Sequence, residues 1–87
     1  MKSYMLTTVD NPYDPVNDFD KWYDYDMRKG HNTCGKLASL AYTSASTVMA
    51  EDQRNINAAV DELIRLDTMV ALSNGLQPKY KRIVIDE

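Results

Sequence analysis

The chain has 87 residues, 10 basic and 13 acidic side chains and a formal net charge of -3, which predicts a single small acidic domain over residues 1–87. Its hydrophobic fraction of 44% is that of a globular protein. One cysteine and one histidine exclude an internal disulfide and zinc sites built from several Cys and His ligands. No apolar run approaches the roughly 20 residues of a membrane span, and residues 1–4 lack the apolar core of a signal peptide, so we expect a soluble intracellular protein.

The acidic residues are concentrated near the N-terminus. Between residues 10 and 26, six aspartates are offset only by Lys21, and the same window holds five of the eight aromatic residues. Affinity for a phosphate backbone comes mainly from clustered Lys and Arg, so this balance argues against direct binding to nucleic acid.

The first third of the chain predicts a strand, a turn and a helix. Residues 3–8 are rich in strand formers and are followed by a turn with two prolines. Asp14 then has the position of an N-cap and Gly30 that of a helix end. The spacing of three or four predicts a core-facing apolar side made of Val16, Phe19, Tyr23 and Met27. Asp20 and Asp24 fall on the solvent side of this helix, whereas Asp26 falls on its apolar side.

Two more helices and a strand follow. The second helix is predicted to have Asn32 or Thr33 as its N-cap, and its predicted apolar face consists of Cys34, Leu37, Ala38, Leu40 and Ala41. A polar interruption at residues 43–47 separates it from the third and longest helix. Apolar residues of the third helix are Met49, Ile56, Ala59, Val60, Leu63, Ile64 and Leu66, and Asp61 and Arg65 form a favourable i,i+4 pair. Residues 80–85 alternate as in a closing strand.

These elements predict an α+β fold that is mainly helical, in the order β-α-α-α-β. Two strands alone are marginal, so the terminal strands are expected to pair as a two-stranded sheet packed on the three helices. We expect the open sheet edges to be protected by Lys79, Lys81 and Arg82 rather than to recruit a partner strand.

The aspartate series does not have the spacing of a calcium loop. With Asp18 as the first loop position, Tyr23 stands where the loop needs glycine and Lys29 where it needs the bidentate glutamate. Along a helix, carboxylates at this spacing also point in several directions. We therefore predict a solvated acidic face and no metal site.

The only histidine and the only cysteine, His31 and Cys34, lie three residues apart near a predicted helix start, where a thiolate is stabilised. Cys34 also lies on the predicted apolar face, and no third orienting residue is identifiable, which favours a packed structural thiol. Glycine loops that bind phosphates are absent. We predict no catalytic residue and no cofactor.

The acidic and aromatic segment is the candidate binding surface. Tyr23 is expected to fill the core, with Trp22 and Tyr25 at its rim, where both residue types serve as interface anchors. Carboxylates along a convex helix can also take the place of phosphates in a basic channel of another protein. The predicted partner-binding residues are Asp10, Asp14, Asp18, Asp20, Trp22, Asp24 and Tyr25.

Several of these residues belong to a sequence pattern in the first part of the chain. The segment LTTVDNPYDP at residues 6–15, followed by Phe19-Asp20, Trp22-Tyr23, Asp26, Gly30 and Thr33-Cys34, resembles a family of small proteins of tailed phages and prophages. The resemblance covers about the first 40 residues and implies a phage origin and nothing catalytic. His31 replaces an aromatic residue of that pattern, and residues 68–77 form a longer stretch than in the family.

By analogy, small acidic phage proteins often block host enzymes, among them anti-CRISPR and other anti-defence proteins. The sequence thus favours a non-catalytic, monomeric or homodimeric inhibitor that binds a host protein, such as a defence nuclease, in the host cytoplasm. The alternative is a structural or assembly component of the virion. An enzyme using Cys34 and His31 ranks third.

Overall fold

A computed structural model describes residues 2–41 and 52–85 of the chain. Its elements are β1 (Ser3–Thr8), α1 (Phe19–Arg28), α2 (Thr33–Ala41), α3 (Asp52–Ser73) and β2 (Tyr80–Ile85). The predicted α+β class and the order β-α-α-α-β are confirmed. The predicted interruption at residues 43–47 and Met49 lie outside the described residues.

β1 and β2 form the predicted antiparallel pair, in which Ser3 faces Ile85 and Thr8 faces Tyr80. Side chains of α3 bond to outward-facing backbone groups of this sheet. On β1, the Tyr4 amide donates to Asn57 Oδ1 (2.9 Å), and Asn57 Nδ2 donates to the Lys2 carbonyl (2.9 Å). Asn57 thereby makes the bonds that a neighbouring strand would make.

The start of β2 is held in the same way by a carboxylate of α3. Asp67 Oδ2 accepts the backbone amides of Lys79 (2.8 Å) and Tyr80 (3.1 Å). The sequence had suggested protection by basic side chains alone. Arg82 is instead turned onto the helical layer, where it pairs with Asp61 (3.3 Å) and lies over the Tyr4 ring.

The core lies between α2, α3 and one face of the sheet. Its buried cluster consists of Leu6, Leu37, Ala59, Val60 and Tyr80. Only part of the predicted α2 face is buried: Leu37 is in the core and Cys34 is half-buried, whereas Leu40 is exposed.

The predicted ion pair between Asp61 and Arg65 is wrong. Asp61 reaches across to β2, and Arg65 pairs with Glu62, three residues before it, on the exposed side of α3. Both spacings bring side chains together on a helix, so spacing alone does not choose between them.

Helix α1 begins three residues later than the apolar pattern suggests. Asp14 does act as a cap, because its Oδ1 accepts the amides of Val16 (2.7 Å) and Asn17 (3.3 Å), but it caps a separate turn. Asp18, directly before α1, makes no side-chain cap. The predicted start at Val16 therefore corresponds to a capped turn that leads into the helix.

The predicted orientation of α1 is wrong. The two buried side chains of this helix are Trp22 and Asp26, both 0% exposed, whereas Phe19, Tyr23 and Met27 are all more than 40% exposed. At about 100° per residue, the buried direction lies to one side of the predicted apolar stripe. The apolar side of this amphipathic helix faces solvent.

Candidate protein-binding face on helix α1

A buried tryptophan fixes one side of α1 to the sheet. Trp22 Nε1 donates to Thr7 Oγ1 on β1 (2.7 Å), and the Trp22 carbonyl accepts from Asn11 Nδ2 (3.1 Å). Trp22 was predicted as a partner-binding residue at the rim of the core. That assignment is wrong, because the indole is fully buried and its N–H already has an acceptor inside the protein.

A buried carboxylate fixes α1 to α2. Asp26 accepts the Thr33 backbone amide at Oδ2 (2.8 Å) and the Thr33 hydroxyl at Oδ1 (2.5 Å). Thr33 is the first residue of α2, so Asp26 satisfies an amide that the helix itself leaves unpaired, at its electropositive end. The charge of Asp26 therefore stabilises the junction of the two helices.

Gly30 ends α1 as predicted. Its φ is +75°, and its amide bonds to the Met27 carbonyl (3.0 Å) while the His31 amide bonds to the Asp26 carbonyl (3.1 Å). This is the Schellman arrangement, in which the left-handed residue favours glycine. The turn brings Thr33 back towards Asp26.

With this side of α1 fixed, an apolar stripe is left facing outwards. We define the α1 stripe as Val16, Phe19, Tyr23 and Met27, which are between 42% and 45% exposed. The Phe19 and Tyr23 rings stack with centroids 5.8 Å apart. The stripe thus presents two aromatic rings in a fixed mutual orientation.

Carboxylates border the α1 stripe. By helical spacing, Asp20 and Asp24 lie next to the stripe on the side away from the core. Asp24 pairs with Arg28 (2.9 Å), whereas Asp18 and Asp20 make no side-chain bond to the residues at 2–41 and 52–85. An open depression of about 360 Å³ at the start of α1 is lined by residues 16–21. These exposed carboxylates agree with their predicted place on the surface.

The two other predicted aspartates lie at opposite ends of α1. Asp14 is in the turn before the helix, where bonds from the Val16 amide and from Asn17 hold the pKa of its carboxyl below its ordinary value. Asp10 lies beside His31, beyond the other end (3.4 Å from Nε2 to Oδ2). The interaction with the buried Thr8 hydroxyl, and then the one with His31, lower the pKa of Asp10. A ten-residue helix is about 15 Å long, so the acidic residues are spread along it rather than gathered at one point.

Tyr25 lies on the other flank of α1 and is half-buried. Its ring makes an edge contact with Tyr13 (6.2 Å between centroids), and Lys29 Nζ lies over it at 5.5 Å. Tyr25 is therefore at the rim, as predicted, but on the side of the helix away from the α1 stripe.

The thiol and the imidazole do not form an activated pair. Burial, and then the negative charge of Asp26, raise the pKa of the Cys34 thiol, which keeps it protonated at neutral pH. The ring of His31 makes its contact with Asp10. Over residues 2–41 and 52–85, no group of three or more His, Cys, Asp or Glu side chains is arranged to hold a metal ion.

No protein-family model, no curated protein and no solved structure matches the chain. None of the described helices is long and apolar enough to cross a membrane.

The α1 stripe was missed as a surface because its spacing is also that of a core-facing helix side. Asp26 is the signal that could have told a buried side of α1 from an exposed one. An acidic residue on the predicted core-facing side needs a buried hydrogen-bond partner, and Asp26 has one in Thr33.

Proposed function

We propose that this protein acts without catalysis, by binding a host protein through the outward side of α1. The single observation that carries the proposal is the exposed α1 stripe with its bordering carboxylates. The adjacent side of the same helix is anchored to the rest of the protein by buried hydrogen bonds. Phe19 and Tyr23 form the centre of this face, Asp20 and Asp24 form its acidic border, and Asp18 lies in the depression at the start of the helix.

The apolar centre has the features of an interface hot spot. Aromatic side chains supply large contact area at low cost in conformational entropy, and a polar rim around them is typical of specific interfaces. Trp22 and Asp26 hold α1 in position before any partner arrives. Such preorganisation reduces the entropy lost on binding.

The acidic border specifies the partner's charge. A matching surface has apolar pockets for two aromatic rings with Lys or Arg side chains around them. Enzymes that bind nucleic acids carry such basic surfaces, and carboxylates along a helix can occupy the place of phosphates. We therefore propose a nucleic-acid-binding host enzyme as the partner, with an anti-phage defence nuclease as the leading example.

The resemblance of residues 6–34 to small proteins of tailed phages supplies the biological setting of this proposal. A phage protein that blocks a host nuclease acts in the host cytoplasm and needs no cofactor. The alternative is a component of the virion, and one observation favours it. Apolar side chains at the end of α3, among them Met69, Val70 and Leu72, are exposed and suit contacts between copies.

Affinity capture with matched variants tests the proposal. Tagged protein is incubated with host lysate and with lysate of phage-producing cells, and the recovered proteins are identified. Tyr23→Ala and Asp20→Asn alter the proposed face. Val84→Ala and Glu62→Gln make the same kinds of change on exposed positions elsewhere.

We expect recovery of a nucleic-acid enzyme that duplex DNA displaces from the protein. Purified, this enzyme should bind Tyr23→Ala at least about 10-fold more weakly, whereas Asp20→Asn should mainly slow association and flatten its salt dependence. Recovery of head or tail proteins, equally by all variants, would contradict the proposal and support the virion alternative.

A further inference from the structure

The backbone groups of β2 alternate between its partner strand and its outer edge. The Val9 amide bonds to the Lys79 carbonyl (2.7 Å), which sets the alternation along the antiparallel pair. Odd-numbered residues of β2 therefore bond to β1. The even-numbered residues Tyr80, Arg82 and Val84 direct their amides and carbonyls to the outer edge.

Only the start of this outer edge is closed. The Tyr80 amide donates to Asp67 of α3 (3.1 Å). Within residues 2–41 and 52–85, no group bonds to the outward amides and carbonyls of Arg82 and Val84. The Arg82 side chain does not protect them, because it is turned onto the helical layer towards Asp61, and Val84 is 46% exposed. We define the free β2 edge as the outward backbone groups of Arg82 and Val84.

We propose that the free β2 edge pairs with the same edge of a second copy of this chain, in antiparallel orientation. The two-stranded sheets of the two copies then join into one continuous sheet. Unpaired strand edges are the usual template for such pairing. The inference does not depend on the proposed function of α1, because it uses no residue of that helix.

The charges along β2 identify a second copy as the occupant. Lys79 and Lys81 stand at the start of the strand, and Asp86 and Glu87 follow its last residue in the sequence. In an antiparallel contact, the start of one strand lies beside the end of the other. Each copy thus brings its acidic end to the basic start of the other copy, so the free β2 edge is complementary to itself.

The same charges select the register. A two-fold axis at Lys81 or Arg82 would place two like charges directly opposite each other, which is destabilising. An axis at Ile83 avoids this and overlaps residues 81–85, with Lys81 opposite the second copy's Ile85. An axis at Val84 would overlap only residues 83–85. We therefore place the axis at Ile83, where two β-branched side chains meet.

The extent of this contact indicates the strength of the dimer. Arg82 and Val84 of the two copies supply about four backbone hydrogen bonds. The joined sheet also has more strands than the marginal two of each copy, which favours it. Because few residues of each copy take part, we expect a reversible dimer with a dissociation constant of tens to hundreds of micromolar.

Sedimentation equilibrium of the full chain from about 10 µM to about 1 mM tests whether the free β2 edge forms the dimer. Val84→Pro removes an outward amide and leaves the bonds to β1 in place. Val84→Ala is its matched control, because it shortens the same side chain and keeps the amide. Circular dichroism verifies the fold of both variants. We expect a dimer for the wild type and for Val84→Ala, and none for Val84→Pro.

A charge reversal tests the second copy as the occupant. Lys81→Glu should weaken dimerisation roughly 3- to 10-fold, and the addition of Glu87→Lys in the same chain should restore it. Lys21→Glu makes the same change in net charge at an exposed position of α1 and should have no effect. The proposal is overturned by a dimer that survives Val84→Pro or by a failure of Glu87→Lys to restore association. A monomeric wild type also overturns it, and leaves the edge to an extended segment of another protein.

Disulfide cross-linking tests the register, and it detects a weak dimer. In a Cys34→Ala background, Ile83→Cys places two thiols at the axis. Lys81→Cys places them about 13 Å apart along the strands, beyond the reach of a disulfide. On oxidation by diamide, the Ile83→Cys chain should form a linked dimer faster than the Lys81→Cys chain. Equal rates, or a faster reaction of Lys81→Cys, would contradict an antiparallel contact centred on Ile83.

Discussion

Replacement of Asp26 by alanine should strongly lower the free energy of unfolding. Asp26 is fully buried, so the replacement leaves the exposed side chains of α1 unchanged. The carboxylate accepts two hydrogen bonds from Thr33 in a fully buried setting. Each bond to a charged acceptor contributes roughly 1.5–3 kcal/mol, and its loss leaves a buried donor unpaired. Because the two bonds share both residues, they do not add fully, and we expect a loss of about 3 kcal/mol in the free energy of unfolding.

For a domain of this size, that loss lowers the melting temperature by roughly 12–24 °C. Asp26→Asn retains an oxygen that can accept the Thr33 amide, so it should cost about 1 kcal/mol. Urea denaturation followed by Trp22 fluorescence and by circular dichroism gives these values. Asp20→Asn, an exposed neutralisation on the same helix, is the control and should change stability by less than about 0.5 kcal/mol.

A double-mutant cycle of Asp26→Asn with Thr33→Val tests whether Asp26 stabilises the protein through its hydrogen bonds with Thr33. We expect a coupling of about 1 kcal/mol between the two positions. If Asp26→Ala were no more destabilising than Asp20→Asn, or if the cycle showed no coupling, the assignment of Asp26 as the buried link between α1 and α2 would be refuted.

Three further outcomes follow from the same contacts. Trp22→Phe should cost about 2–3 kcal/mol of unfolding free energy, because the Thr7 hydroxyl loses the indole N–H that it accepts and a void remains. Tyr23→Phe, on the exposed stripe, should be neutral in the same denaturation assay. Burial raises the pKa of Cys34, so alkylation by iodoacetamide should reach half its maximal rate at a higher pH than in the urea-unfolded chain, and a lower midpoint would contradict the packed thiol. The lowered pKa of Asp14 means that its contribution to stability is complete above the unfolded pKa, about 3.9, and is lost as the pH falls through the lower folded value. Asp14→Asn should therefore show a shallower acid destabilisation than the wild type when unfolding is followed by circular dichroism.

The order of elements was predictable because the local signals are unambiguous. The strands at residues 3–8 and 80–85 have the predicted bounds, and Gly30 ends α1 with the positive φ that its type favours. The pairing of terminal strands also followed, since neither strand is stable alone. These features depend on neighbouring residues and on a small number of possible topologies.

The rotation of α1 was not predictable from periodicity. A regular spacing of apolar residues identifies a helix side, but it does not say whether the protein or a partner covers that side. Here two polar requirements decide: the Trp22 N–H needs an acceptor, and the α2 amide at Thr33 needs the Asp26 carboxylate. Thr7, the partner of Trp22, is distant in sequence, and Thr33, the partner of Asp26, lies beyond a turn. Only the tertiary structure therefore shows that Trp22 and Asp26 are buried in place of the α1 stripe.

The strand pair also determines where anything attached to this protein will lie. Ser3 and Ile85 face each other across the sheet, so extensions from either terminus leave from the same end of it. β1 then runs towards Thr8, about 17 Å away at the usual rise per residue, before the chain turns into α1. A tag, linker or fused domain at either terminus therefore starts at the Ser3 end of β1. The turn that leads to α1 follows the other end, at Thr8. The molecule can thus be immobilised by either end, or by both, with its helix still accessible from solution.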